Sequence, residues 1–127
     1  MAFYALIAIG VGAALGAWLR WTIGLWLNSI WPTLPIGTLS ANLIGGFLVG
    51  FSVAFFMQHP SLPPEWRLFI ITGFLGGLTT FSTFSIETLT LLMRGQYVWA
   101  LAIIFLHVGG CLLMAFAGLQ AYKWFQH

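Results

Sequence analysis

GFLGGLTTFSTFS, residues 73–85, is the stretch that decides how this chain folds. It lies in the middle of the third of four apolar segments, at the depth where a membrane-spanning helix should be most regular. Instead it places Gly73, Gly76 and Gly77, then Thr79, Thr80, Ser82, Thr83 and Ser85, with Phe81 and Phe84 interleaved. In hydrocarbon an unpaired backbone N–H or C=O is costly, so irregular backbone survives there only inside protein or beside a wet cavity. The stretch therefore predicts a third helix broken at mid-membrane, near residues 76–80, and a broken helix at that depth is a binding site in prospect.

The rest of the chain supports a membrane setting. Of its 127 residues 61% are hydrophobic and 5% charged, with a mean hydropathy of +1.00, which excludes a soluble domain and a disordered one. A spanning helix needs about 20 apolar residues, and four segments qualify, roughly residues 3–27, 37–57, 66–93 and 97–122. The fold class is thus an all-α integral membrane protein of four transmembrane helices, with residues 1–127 forming a single transmembrane domain and any activity lying within the bilayer. No basic residue precedes Arg20 and no cleavage site follows a short apolar core, so the first segment reads as a retained helix rather than a signal peptide. Cys111 is the single cysteine and reads as a small packing residue. A net charge of +2 from so few groups provides no basic patch for nucleic acid.

The few cations are more telling by position. With four spans, Arg67 and Lys123 fall on one side of the membrane and Arg20 and Arg94 on the other. Orientation is normally set by an excess of Lys and Arg in cytoplasmic loops, and two against two is no excess. The pattern predicts dual topology and an antiparallel homodimer, unless Arg20 lies too deep to count.

Several polar residues stand out against the apolar background. Gly12 and Gly16, and again Gly46 and Gly50, form small-residue faces that let another helix approach closely. Arg20, among Trp18, Trp21 and Trp26, either snorkels to the interface or collects anions at a vestibule. Asn42 must find a partner inside an apolar helix. That partner is either an interhelical hydrogen bond or an anion passing along an aqueous path. If the third helix restarts near Thr79 or Thr80, a hydroxyl stands where an N-cap is wanted, with free N–H groups and the positive dipole end in the break. Carbonyls left on the other side would suit a small hard cation.

Phe81 and Phe84, three apart, share a helix face. On spacing alone they are core. In this setting a positively charged ring edge can face an anion, with hydroxyl donors from Ser82, Thr83 and Ser85. Glu87 is a buried acid in a transmembrane segment and therefore a functional candidate, bordering a vestibule, pairing with an arginine or moving protons. His107, beside Gly109, Gly110 and Cys111, is either packed with a hydrogen-bond partner or a pathway donor. It has no neighbouring ligands for a zinc-type site. No phosphate loop and no serine with a paired base supports an enzyme.

Arg20-Trp21, the GTLSANLIGG run around Asn42, GGLTTFSTFS from Gly76, Glu87 and His107 together closely resemble the Fluc (CrcB) family of fluoride channels, over essentially the whole chain. The resemblance implies an antiparallel dual-topology homodimer in the bacterial inner membrane, with two fluoride pathways and a structural sodium ion at the dimer centre. The carbonyls of Gly76 and Thr79 match the sodium ligands. Phe81 and Phe84 match the aromatic pair lining the pathways, and Asn42 the second-helix donor. Ser82, Thr83, Ser85, Glu87 and His107 fall in or beside the polar track. Arg20 matches a vestibule arginine, with Glu87 assigned to the same region. The implied activity is passive export of cytoplasmic fluoride. A rival is a small dual-topology proton-coupled exporter of the multidrug-resistance type. That mechanism wants an acid in the first helix, which this chain lacks.

Overall fold

The computed structural model describes residues 2–127. Among these residues the chain is all helical, with four helices long and apolar enough to cross a membrane: Ala2–Leu27, Ile36–Gln58, Pro64–Met93 and Tyr97–Phe125. It is a multi-pass membrane protein. Its surface follows the chemistry of that solvent, for Leu6, Trp18, Val98, Phe105 and Leu113 all stand outward. A helix keeps every backbone group paired within itself, which is what hydrocarbon demands.

Close packing is concentrated along two glycine seams. The first span lies against the leading arm of the third. A methyl group at Gly16 would fall on the Phe74 carbonyl, and one at Gly77 on the Ala13 carbonyl. Gly12 and Gly73 face each other, a Cβ on Gly12 lying 3.1 Å from the Gly73 Cα. The second span lies against the fourth in the same manner, with Gly50 over the Ala115 carbonyl and Gly118 over the Phe47 carbonyl. Small residues let helix backbones touch where lipid offers no hydrophobic drive to associate. The two seams make two helix pairs, and the third span's interruption lies where the pairs meet.

The third span is not one helix. Its leading arm runs to Leu78, with Leu68–Leu75 wound in wider π-helical turns. Thr79 (φ −86°, ψ 153°) and Thr80 (φ −149°, ψ 119°) are then extended, and Phe81–Met93 is helical again. The glycine-rich composition pointed to an interruption beginning at residue 76. Gly76 and Gly77 remain helical, and the chain opens two residues later. Gly77 must stay in register because it carries the seam with Ala13. The threonines are β-branched and pack readily in extended backbone. After Met93 the chain turns at Gly95, the one described residue with positive φ (72°), a left-handed helix stop that favours glycine.

Candidate functional site

Asn42 organises the site. It lies inside the second span, beside the fully enclosed Ala41, with its own side chain 7% exposed. Its Oδ1 accepts from the Thr80 N–H at 2.7 Å, and its Nδ2 donates to the Thr80 carbonyl at 3.0 Å. One carboxamide thereby satisfies both backbone groups of an extended residue, as a neighbouring strand would. In an unbroken helix that N–H would return to the Gly76 carbonyl four residues back. Here Asn42 takes it, so Gly76 loses its helical donor at an exposed position. The second Nδ2 proton reaches His107 Nδ1 at 2.9 Å. A single side chain thus ties the second, third and fourth spans together.

The resumed helix is capped as its sequence suggested. Thr80 is the N-cap, its Oγ1 accepting from the Thr83 N–H at 3.1 Å. The Thr80 hydroxyl also lies 3.2 Å from both Ser82 Oγ and Thr83 Oγ1. Ser85 differs, because its hydroxyl donates back to the Phe81 carbonyl at 2.8 Å. Its oxygen lone pairs are free, but its proton is committed. Phe81 and Phe84 meet edge to face at 5.2 Å and 67°. They are not equivalent: Phe84 is 6% exposed and packed with Leu34, Leu91, Ala100 and Ile103, whereas Phe81 is 75% exposed. The His107 ring lies over Phe84 at 4.7 Å.

Two cavities share Thr80 as a wall. One, about 360 Å³, is lined by Asn42, Thr79, Phe81, Phe84, His107 and Cys111 among others. The other, about 300 Å³, is lined by Arg20, Trp21, Asn28, Thr38 and Thr83. Arg20 makes no ion pair with an acid among the described residues. Its Nε donates to the Gly77 carbonyl at 3.0 Å, at the negative end of the leading arm. Glu87 Oε2 accepts from the Thr38 hydroxyl at 2.7 Å, and Thr38 N–H in turn donates to Asn28 Oδ1. Glu87 Oε1 is buried without a protein partner among the described residues.

Sequence reasoning passed over Thr38, Asn28 and Cys111 as site residues. Thr38 had a signal: it lies one turn before Asn42 on the same helix face. Asn28 read only as part of a turn, and Cys111 only as packing.

The profile of the family described as CrcB-like protein, Camphor Resistance (CrcB), matches residues 7–119. The chain belongs to the CrcB family. It is 62% identical over 124 residues to the fluoride-specific ion channel FluC of Nitrosospira multiformis, covering 98% of this chain and 97% of that one. The FluC proteins of Cupriavidus metallidurans (58% over 117 residues, 92% of this chain and 93% of the relative) and Pseudomonas putida (59% over 117 residues, 92% of each) are similarly related. All the residues of the two cavities fall within the part of the chain that matches the CrcB profile.

Proposed function

We propose that the chain is a fluoride-selective channel that exports fluoride passively from the cytoplasm, and that it works as an antiparallel homodimer with the third span broken at mid-membrane. The observation that carries this reading is the interruption at Thr79–Thr80, flanked by two cavities and by Phe81 and Phe84, in a chain so similar to proteins named as fluoride channels. Fluoride is small and strongly hydrated, so a route for it needs donors to replace water. Ser82, Thr83 and His107 supply polar groups around the interruption that Asn42 holds open, and the Phe81 and Phe84 ring edges supply weak positive charge. Arg20 and Glu87 border the second cavity's side of the site, where they shape the field at a vestibule.

The pair of copies is argued from what one copy leaves exposed. Phe81, Ser82, Ser85 and Gly76 all face outward. Hydroxyls and a carbonyl freed from its helix are poor neighbours for lipid, and a second inverted copy covers them. A central sodium ion fits the donors present. The carbonyl oxygens of Gly76 and Thr79 are hard ligands, one relieved of its helical donor and the other in extended backbone. Two oxygens are too few for a hard cation, and two copies supply four. When bound, the ion would supply positive charge that holds the two carbonyl sets together.

No energy source is required. An inside-negative potential of about 100 mV favours exit of a monovalent anion by roughly 2.3 kcal/mol, or about fifty-fold at 1.36 kcal/mol per tenfold. The exporter reading draws no support from the relatives, which carry the channel name. The test is efflux of fluoride against chloride from loaded liposomes, with sodium present or absent during purification. Rapid fluoride-selective efflux that depends on sodium supports the proposal. Equal passage of both halides, or efflux that needs a proton gradient, sinks it.

A further inference from the structure

The break costs the third span some of its own helical bonds, and side chains take over the freed groups unequally. In an unbroken helix each carbonyl accepts from the N–H four residues on, so Gly76, Gly77 and Thr79 would accept from Thr80, Phe81 and Thr83. Asn42 Oδ1 takes the Thr80 N–H, and Thr80 Oγ1 takes the Thr83 N–H. The Gly76 and Thr79 carbonyls thereby lose their helical donors. Gly77 is treated differently. Its carbonyl accepts from Arg20 Nε at 3.0 Å, a donor from 57 residues away in the chain.

The glycine seam delivers Arg20 to that carbonyl. Ala13, Ala17 and Arg20 recur at intervals of four and three, so they lie on one face of the first span. A methyl group on Gly77 would fall on the Ala13 carbonyl and lie 3.0 Å from the Ala17 nitrogen. The Gly77 residue is therefore held twice, its Cα against the backbone of the first span and its oxygen by the guanidinium. A cation suits this place, because the carbonyls at a helix C-terminus carry partial negative charge. Successive helical residues stand about 100° apart around the axis. Fixing the direction of Gly77 therefore fixes that of its neighbours, and Gly76 is left exposed.

We infer that Arg20 is a positioning residue for the cation site. By tying the Gly77 carbonyl to the first span it locks the rotation of the leading arm's last turn, and so holds the Gly76 and Thr79 carbonyls ready for the pair that a second copy brings. The inference rests on the proposed central sodium ion for the identity of the cation, but not for the clamp. Arg20 acts through the peptide between the two ligand carbonyls rather than on the ion. A side chain that only added positive charge nearby would weaken sodium binding by repulsion. One that orients the ligands strengthens it. The two roles predict shifts of opposite sign when the guanidinium is removed.

The test uses the full chain in lipid nanodiscs, purified without sodium. Sodium chloride is then titrated in, with N-methylglucamine chloride holding the ionic strength constant. Hydrogen exchange follows the Thr79 amide, which closes the arm's last turn on the Leu75 carbonyl at 3.0 Å. Arg20→Met is expected to speed exchange at Thr79 before any sodium is added. It should also raise the sodium concentration for half-maximal protection roughly 10–100-fold, as loss of a group that orients metal ligands does. Arg20→Lys, whose ammonium can still donate to Gly77, falls between. Leu91→Ala, which empties a buried position in the second arm, lowers thermal stability but leaves the sodium midpoint in place. An Arg20→Met midpoint at or below that of the wild type, or an equal shift in Leu91→Ala, would overturn the inference. Should Arg20→Met not fold, a raised midpoint in Arg20→Lys supports the clamp and an unchanged one overturns it. A wild-type protein indifferent to sodium, whose Thr79 amide is nonetheless laid bare by Arg20→Met, refutes the central sodium ion while upholding Arg20 as the clamp on the arm.

Discussion

Replacing Asn42 with alanine should loosen the interruption in the third span more than it disturbs any other part of the protein. The substitution removes three hydrogen bonds at once, two of them to the backbone of Thr80. On the scale of soluble proteins each unsatisfied buried group costs about 1–3 kcal/mol, so the two Thr80 groups alone would give roughly 2–6 kcal/mol. Interhelical bonds in membranes average about 0.6 kcal/mol, which puts three of them near 2 kcal/mol. The lower figure governs, because a chain unfolded within lipid or detergent finds other partners. About 2 kcal/mol is roughly a thirty-fold change in the unfolding equilibrium. Seven tryptophans give a fluorescence signal for unfolding in mixed micelles, and amide hydrogen exchange reads Thr80 directly. The Thr80 amide should exchange markedly faster in Asn42→Ala. Asn42→Asp, which keeps an acceptor for that N–H, should fall between the variant and the wild type. An unchanged unfolding midpoint together with unchanged Thr80 protection would refute the claim that this side chain holds the extended pair.

Thr80→Val keeps the β-branched shape but deletes the cap oxygen, and should cost about 1 kcal/mol of stability, with Thr80→Ser restoring most of it; unfolding titrations compare the three. Phe84→Ala should destabilise the fold by roughly 3 kcal/mol or more through an unfilled core. Phe81→Ala removes a ring that is 75% exposed in one copy and covered by the second, and should lower fluoride efflux from liposomes and weaken the pairing of copies, read as a shift toward monomer on gel filtration. Gly16→Val and Gly50→Val must push apart helix backbones that touch, and each should cost about 1–3 kcal/mol or prevent folding, as gel filtration of the purified protein will report. Gly10→Ala, where a methyl meets open space, should be neutral or stabilising by up to about 1 kcal/mol by the same measurement.

The spans were legible because hydropathy over some twenty residues is a local property, and the chain has few charges to confuse it. The glycine faces were legible for the same reason: Gly12 with Gly16 and Gly46 with Gly50 are read at helical spacing, and each does lie against another span. The interruption was legible from hydroxyls and glycines in mid-segment, and the extended pair Thr79 and Thr80 occupies the far end of the expected residues 76–80. Glycine marks both flexible backbone and close contact, and only the packed structure shows that Gly77 serves the second purpose. What no local pattern contained was the partner of each polar residue. Asn42 meets Thr80 and His107 from 38 and 65 residues away, and Arg20 meets the Gly77 carbonyl from 57. Arg20 therefore read as snorkelling or as collecting anions, and the bond from its Nε to a helix end was in neither reading. Ser85 read as a donor, when its proton closes on its own helix.

Translation sets the order in which Asn42 and its partners become available. Asn42 leaves the ribosome 38 residues before Thr80, which at about 5–20 residues per second is roughly 2–8 s. The carboxamide is therefore made first, and it is ready when the extended threonine emerges, so the kinked segment need never meet the lipid with its backbone bare. His107 emerges last of the three. A nascent chain halted after the third span should already hold its kink, with one proton of the asparagine still waiting for the imidazole to be synthesised.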